Sequence, residues 1–201
     1  MGNCVGEVQR DGHYPVEEID QRDVQKRSIT CHDYPSSCVV ADILKRFNIK
    51  RVLDVTYGRG RFYKAYRPEL LIGSDPMKWG WLVYPDKFYQ LTVFQLNMKL
   101  RNKEIEIPKI IDCVVVDPPK WSVNEKYNKR DEYNFIIGTP KLIIEYAKLV
   151  AQQIAAKYLL MHYREMPNLG KIVYAVKYTW LARYTYTENK NISYFVLYEV
   201  V

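Results

Sequence analysis

The sequence lacks any long apolar run. No stretch of its 201 residues approaches the roughly 20 consecutive apolar residues that a membrane-spanning helix requires. It also lacks the basic and then apolar start of a secretory signal peptide, because its first residues are polar and acidic. These absences predict a protein with no membrane partner and a cytoplasmic location.

Cysteine is also scarce. The chain has four cysteines, Cys4, Cys31, Cys38 and Cys113, and no C-x-x-C pair. This spacing argues against a zinc site and against a disulfide framework. Cys31 and Cys38 are able to pair, but free thiols are the expected state in a reducing cytoplasm. The sequence therefore predicts no metal site and no disulfide.

The chain does have an excess of positive charge. Its net charge is +7 at pH 7, although residues 1–37 hold only four basic residues against seven acidic ones. The basic excess therefore lies in the rest of the chain, where it suits a polyanion such as nucleic acid. Ordinary solvated lysines produce the same excess, so charge alone leaves the partner open.

The pattern of apolar residues predicts one folded domain after a polar arm. Residues 1–30 are polar and aperiodic, which predicts a flexible N-terminal arm, and residues 31–201 form the predicted domain. Apolar residues at helical spacing after Pro35 predict a helix capped by Ser36 or Ser37.

The rest of the domain reads as alternating strands and helices. Apolar runs predict strands that end near Asp54, Asp75, Leu96, Asp117 and Tyr163, and a helix that begins at Pro140. Residues 182–187 and 192–200 predict a terminal hairpin. This alternation predicts an α/β fold with a mostly parallel sheet and an antiparallel C-terminal hairpin.

The most informative motif follows the apolar residues 114–116. These read as a buried strand, and Asp117, Pro118 and Pro119 follow directly. The prolines end the strand, because neither donates to a sheet ladder and each fixes φ at about −65°. An acid and carbonyl acceptors thus lie at the carboxyl end of a strand, where open α/β sheets bind ligands. Such acceptors suit an exocyclic amine, although Asp-Pro is also an ordinary turn signal.

Two further motifs precede this one. A short, mainly apolar strand that contains Asp54 runs towards Gly58 and Gly60, where glycine permits positive φ and close approach of a ligand. The third glycine of the dinucleotide fingerprint is missing, so this turn alone is a weak signal. The next apolar run ends at Asp75, about where an acid that binds ribose hydroxyls is expected. Asp75 could instead belong to a simple turn with Pro76.

Taken in order, the three motifs resemble those of class I S-adenosylmethionine (SAM) dependent methyltransferases. Within that class they look most like enzymes that methylate amines of nucleic-acid bases, which carry Asp/Asn/Ser-Pro-Pro and then an aromatic residue. The resemblance covers about residues 31–201. It implies a Rossmann-like sheet, SAM as the cofactor, and methyl transfer to an exocyclic amine in DNA or RNA, with adenine N6 favoured.

The resemblance also implies a role for each motif residue. Asp117, Pro118 and Pro119 would receive the target amine as the catalytic group. The cofactor would be bound by the glycine turn, by strand-terminal polar residues, and by a segment before the first strand. These residues are Asp54, Thr56, Gly58, Gly60, Asp75, Gln95 or Asn97, His32 and Pro35.

The motif departs from the family at Lys120, which stands where an aromatic residue is expected, with Trp121 one position later. Lysine can contact phosphate but has no π face for a base. The polar residues 120–139 mix basic and aromatic side chains, which suits phosphate contact and base stacking. Lys120, Trp121, Tyr127 and Tyr133 are therefore the expected substrate-binding residues, unless the segment is only a solvated loop.

The departure at Lys120 keeps other functions open. Asp-Pro-Pro-Lys also resembles RNA cytosine-C5 methyltransferases, which need a cysteine nucleophile, and no cysteine follows Asp117. A methyltransferase fold that has lost catalysis and only binds nucleic acid is one alternative. A methyltransferase of a protein amide or a small amine is another. Because the chain has no room for a separate recognition domain, target choice would depend on a homodimer or a protein partner.

Overall fold

Eight strands form one mixed sheet in the part of the chain that the computed structural model describes, which is residue 14 and residues 16–108, 110–118, 139–181 and 190–200. They are β1 (Val16–Asp20), β2 (Arg51–Asp54), β3 (Leu70–Ser74), β4 (Lys87–Tyr89), β5 (Cys113–Val116), β6 (Tyr158–Tyr163), β7 (Lys171–Leu181) and β8 (Lys190–Glu199). Their order is β1-β7-β8-β6-β5-β2-β3-β4, with β8 antiparallel to both neighbours. The expected α/β fold, mostly parallel with an antiparallel C-terminal pair, is confirmed.

Helices cover both faces of this sheet. They are α1 (Gln21–Gln25), α2 (Ile29–Asp33), α3 (Pro35–Arg46), α4 (Val93–Arg101) and α5 (Pro140–Gln153), with a 3-10 turn at Arg61–Tyr63. Side chains of β5 alternate between two buried clusters, so Val114 packs with α4 and α5 whereas Val115 packs with α1 to α3. A strand buried on both faces requires such a run of apolar residues. None of the described helices is long and apolar enough to cross a membrane.

The strand order reverses between β2 and β5. β2 pairs with β3 on one side and with β5 on the other, and the sheet then continues outwards to β4 and to β6. In open parallel sheets such a reversal leaves a crevice beyond the carboxyl ends of the two strands. Asp54 ends β2 and Asp117 follows β5, so both acids lie at this crevice.

The structure differs from the flexible arm expected over residues 1–30. Residues 16–30 belong to the fold, because β1 pairs in parallel with β7 and is followed by α1 and the start of α2. Val24 of α1 is fully buried, and the expected domain boundary at residue 31 falls inside α2. A five-residue edge strand and two five-residue helices carry too few apolar positions to show a clear period.

The strand expected over residues 89–96 is wrong. β4 ends at Tyr89, and α4 begins after Thr92. The Thr92 hydroxyl accepts the Gln95 N–H at 3.1 Å, and Gln95 Oε1 accepts the Thr92 N–H at 3.0 Å. This capping box satisfies two backbone donors that would otherwise be unpaired at the helix start. The Thr-x-x-Gln spacing is present in the sequence, but the apolar residues around it favoured a strand.

Helix α3 does not have the expected serine cap. Tyr34 occupies the N-cap position without a side-chain hydrogen bond, and Pro35 is the first helical residue. The Ser37 hydroxyl instead donates to the Phe62 carbonyl at 3.0 Å and accepts the Ala65 N–H at 2.7 Å. It therefore ties α3 to the chain segment that follows the glycine turn.

The expectation of free thiols at Cys31 and Cys38 is also wrong, because the two residues form a disulfide between α2 and α3. The expectation depended on a reducing compartment rather than on geometry. The disulfide closes a short loop that contains residues 33–37.

The C-terminal antiparallel pair agrees with the expectation in its second strand, since residues 192–199 lie in β8, and differs in its first. Its strands are β7 and β8, which pair from Lys171 opposite Glu199 to Leu181 opposite Lys190. The predicted strand at residues 182–187 lies outside the described residues.

Candidate functional site

Thr56 joins the carboxyl ends of the two central strands. Its hydroxyl accepts the backbone N–H of Asp117 at 2.7 Å and donates to Asp54 Oδ1 at 3.3 Å. The backbone N–H of Thr56 donates to the same oxygen at 2.9 Å. The acid that ends β2 and the acid that follows β5 are therefore held on either side of one hydroxyl. This arrangement brings together three of the residues expected at the site.

Asp54 is a buried carboxyl group with only 3% of its surface exposed. Burial raises its pKa to about 7, and the negative charges of Asp117 and Asp75 act in the same direction. The hydrogen bonds from Thr56 and from the Tyr63 hydroxyl oppose the shift without cancelling it. Asp54 therefore carries a proton part of the time near neutral pH, and a nearby cationic group would favour its charged form.

The turn after β2 needs glycine at position 60. Gly60 has a φ of +71°, and a Cβ there would lie 2.8 Å from the carbonyl oxygen of Val83 and 2.7 Å from the Tyr57 hydroxyl. A side chain would therefore be strained and would also collide with backbone. The turn carries Gly58, whose N–H donates to Asp75 Oδ2 at 3.1 Å.

Asp75 lies at the carboxyl end of β3, as expected, but it is buried and engaged by protein donors. Its Oδ1 accepts the Met77 N–H at 2.9 Å and the Trp79 indole N–H at 3.0 Å. Its Oδ2 accepts the Gly58 N–H. The carboxylate therefore holds the glycine turn and the loop after β3 in place, in addition to lining a cavity.

Two cavities meet at the crevice. The larger has a volume of about 480 Å³, and the smaller has about 130 Å³. Both are lined by Thr56, Gly58 and Asp117, so they join at the carboxyl ends of β2 and β5. The larger is also lined by Asp54, Pro118, Tyr34, Pro35, Arg61 and Phe62, and the smaller by Asp75, Trp79, Val93 and Ile143. A volume of several hundred Å³ is typical of small-molecule sites.

His162 and Ser193 belong to the site, although neither was expected there. The pairing of Val116 with Met161 places His162 beside Asp117, and His162 Nδ1 lies 3.0 Å from Asp117 Oδ1. His162 Nε2 lies 2.9 Å from Ser193 Oγ on β8. The sequence does show a histidine near the end of the strand predicted over residues 158–163. Its place in the site becomes clear only once the register of β6 against β5 is known.

Several expected site residues line neither cavity. Gln95 is used in the capping box of α4, and Asn97 is buried in the same helix beside a separate groove. His32 is exposed on α2 next to Asp33, whereas Pro35 does line the larger cavity. The wrongly expected strand over residues 89–96 is the reason why Gln95 and Asn97 were assigned to the cofactor.

The segment expected to bind the substrate lies outside the described residues, together with the second proline of the motif. These residues are Pro119, Lys120, Trp121, Tyr127 and Tyr133. Pro118 is described and lines the larger cavity beside Asp117. In the described ranges, no group of three or more His, Cys, Asp or Glu residues is arranged to bind a metal ion.

The function must be argued from this geometry. A scan against protein-family models finds none that matches the chain, and a search of curated proteins finds no match either.

Proposed function

We propose that this protein is a SAM-dependent methyltransferase that acts on an exocyclic amine of a nucleic-acid base, with adenine N6 as the favoured target. The position of Asp117 and Pro118 carries the proposal. They follow β5 where the strand order reverses, and they line the larger cavity. Asp117 is also tied through Thr56 to β2 and its glycine turn. An acidic residue and the first proline of the motif therefore line a cavity of suitable size for a cofactor and a base.

The sheet topology supports the proposal. The order β4-β3-β2-β5-β6 in the parallel part of the sheet is that of doubly wound sheets that bind nucleotides. β8 lies antiparallel between β6 and β7, in keeping with the terminal antiparallel hairpin that the resemblance to class I methyltransferases implies. We therefore propose a Rossmann-like sheet of that class.

The two cavities suit the two ends of SAM. Trp79, Val93 and Ile143 give the smaller cavity apolar walls, which suit an adenine ring. Asp54 in the larger cavity suits the cationic amino group of methionine. Gly58 lies where the two cavities join and leaves space for a ribose to cross. When bound, SAM supplies a methyl group on a positively charged sulfur.

The acceptors after β5 suit the chemistry of an amine. The lone pair of an exocyclic amine is delocalised into the ring, so the nitrogen is a weak nucleophile. Hydrogen bonds from its two N–H groups to the Asp117 carboxylate and the Pro118 carbonyl favour a pyramidal nitrogen with its lone pair directed at the methyl group. The N–C bond forms as the C–S bond breaks with its electron pair left on sulfur, and one amine proton passes to the carboxylate.

Two arginines of the larger cavity suit nucleic acid as the carrier of that amine, although three aspartates line the same cavity. Arg59 and Arg61 line this cavity and are exposed. Together with the net charge of +7, they suit the phosphates that flank a target base. A base within a duplex would have to leave the stack to reach Asp117, whereas a single strand would not.

The thiols in the described residues do not favour cytosine-C5 chemistry. Burial in β5 raises the pKa of the Cys113 thiol, which therefore stays protonated and out of reach of a base. Cys31 and Cys38 are joined in their disulfide. Amine methylation needs no covalent bond between the protein and the base, so it fits these residues better.

The proposal is tested by incubating the protein with methyl-labelled SAM and separate DNA and RNA pools, followed by nucleoside analysis. We expect label in N6-methyladenosine or another N-methylated base. Asp117→Ala should abolish transfer while SAM still binds by calorimetry, and Asp23→Ala, at an exposed position of α1, should transfer as the parent does. Undiminished transfer by Asp117→Ala would refute the assigned role. Absence of label despite SAM binding would point to a protein amide or small amine, and absence of both to a binding module without catalysis.

A further inference from the structure

Asp117 is the exposed end of a hydrogen-bonded chain that runs into the interior. The chain passes from Asp117 Oδ1 to His162 and on to Ser193, with separations of 3.0 and 2.9 Å. The Asp117 side chain is 35% exposed, whereas His162 is 5% and Ser193 is 1% exposed. Asp117 is therefore the member that is most exposed to the cavity, whereas the almost buried His162 only reaches the wall of the larger cavity and Ser193 lies behind it.

This arrangement does not serve nucleophilic catalysis by serine. In a Ser-His-Asp triad the serine faces the substrate and the acid is buried behind the histidine. Here the order is reversed, because Ser193 is enclosed in β8 and Asp117 lines both cavities. Asp117 is the most accessible of the three residues and the only one of them that lines both cavities.

The partners of His162 define which nitrogen carries its proton. A carboxylate only accepts hydrogen bonds, so Nδ1 donates to Asp117. The imidazole is stacked on Phe195 with 4.0 Å between ring centroids and 7° between planes, which fixes the ring plane, and a neutral imidazole that donates through Nδ1 has its acceptor lone pair on Nε2. Nε2 therefore accepts from the Ser193 hydroxyl. Ser193 thereby stabilises the tautomer that donates to Asp117.

We propose that His162 and Ser193 are positioning residues that hold Asp117 as a hydrogen-bond acceptor with a fixed orientation, an inference that rests on the proposed function. Because the imidazole N–H engages Oδ1, rotation of the carboxylate breaks that bond, and Oδ2 is left to accept from the substrate. A fixed acceptor accommodates an amine and repels a carbonyl oxygen at the same position of a base. By fixing Asp117 in this way, His162 and Ser193 favour bases that carry an exocyclic amine.

The first test compares two substitutions of His162 in the full chain. His162→Phe keeps a flat ring against Phe195 but has no donor for Asp117, whereas His162→Asn places an amide N–H close to the position of Nδ1. We expect His162→Phe to lower kcat by about 10- to 100-fold, the size of effect that follows removal of the partners that orient metal ligands, with the KM for SAM nearly unchanged. His162→Asn should recover most of that loss. Equal kcat in His162→Phe and the parent, or no recovery in His162→Asn, would overturn the inference.

The second test does not depend on activity. Long-range ¹H–¹⁵N NMR of the histidine ring should show the proton of His162 on Nδ1 in the parent and a mixture of tautomers in Ser193→Ala. A proton on Nε2 in the parent would contradict the inference. If the parent transfers no methyl group to DNA or RNA, the proposed function fails instead, whatever the NMR shows. An active parent that is unaffected by His162→Phe refutes only the positioning role.

Discussion

Tyr63 donates a hydrogen bond of 2.8 Å to Asp54 Oδ2 in the interior of the domain. Both side chains are almost completely buried, and the tyrosine lies in the 3-10 turn that follows the glycine turn. Although Thr56 and Tyr63 both donate to it, burial still raises the pKa of Asp54 to about 7. The central acid of β2 is thus a titrating group near neutral pH.

The stability of the protein should depend on pH through Asp54. An unfolded aspartate titrates near 3.8, so between about pH 4 and 7 the folded state binds more protons than the unfolded state. The free energy of unfolding from this group therefore falls as pH rises through that window and levels off above it. Asp54→Asn has no such proton, so its free energy of unfolding relative to that of the parent should rise by up to about 4 kcal/mol across the window.

Urea unfolding at several pH values across the window measures this difference. Asp23→Asn, an exposed carboxylate on α1, is the matched control and should follow the profile of the parent. Parallel profiles for Asp54→Asn and the parent would mean that Asp54 is ionised throughout.

Gly60→Ala should destabilise the fold. The positive φ of Gly60 and the 2.8 Å approach of its would-be Cβ to the Val83 carbonyl both oppose a side chain. We expect a loss of about 2 kcal/mol or more in the free energy of unfolding. Gly80→Ala is the matched control, because a Cβ at that position meets nothing within 4 Å. Denaturant unfolding of both variants checks the prediction, and equal stability would show that the turn can relax.

The central motifs of the site could be predicted from the sequence because they are local. The strand before Asp117 and the glycine turn after Asp54 each consist of adjacent residues with strong backbone preferences. His162 and Ser193 could not be predicted, because β6 and β8 bring them to Asp117 only through the register of the sheet. Long-range pairing leaves no trace in local periodicity.

The expected strand over residues 89–96 and the expected free thiols, which the structure overturns, have a different origin. Gln95 was assigned to the cofactor because the apolar residues around it look like a strand, whereas its side chain completes a helix cap. The free-thiol expectation for Cys31 and Cys38 came from an assumed compartment. In both cases a general tendency was outweighed by a specific local interaction.

Reduction of the Cys31–Cys38 disulfide should weaken the wall of the larger cavity. The disulfide closes the loop that contains Tyr34 and Pro35, which line that cavity. We expect Cys31→Ser/Cys38→Ser to lose roughly 2–3 kcal/mol in the free energy of unfolding, as a loop of this length implies. SAM should also bind more weakly by calorimetry. A reductant should reproduce both effects in the parent and change nothing further in the double variant. Equal stability of the parent with and without reductant would contradict this account.

Asp75 should contribute to folding as well as to cofactor binding. Asp75→Asn replaces one of the two carboxylate oxygens by an NH2 group, which cannot accept a hydrogen bond. At least one of the N–H donors of Gly58, Met77 and Trp79 therefore loses its acceptor. The free energy of unfolding should fall by about 2 kcal/mol, and the fluorescence of Trp79 should change. This effect alone would weaken SAM binding indirectly, through a loosened loop.

Trp79→Phe separates the two contributions of Asp75. It removes the indole donor but keeps the carboxylate and an aromatic wall in the smaller cavity. If Asp75 also binds the ribose, Asp75→Asn should lower SAM affinity by about tenfold more than Trp79→Phe, because a carboxylate acceptor is stronger than an amide. Calorimetry at a temperature where both variants are folded measures the difference. Equal losses of affinity would assign Asp75 to loop structure alone.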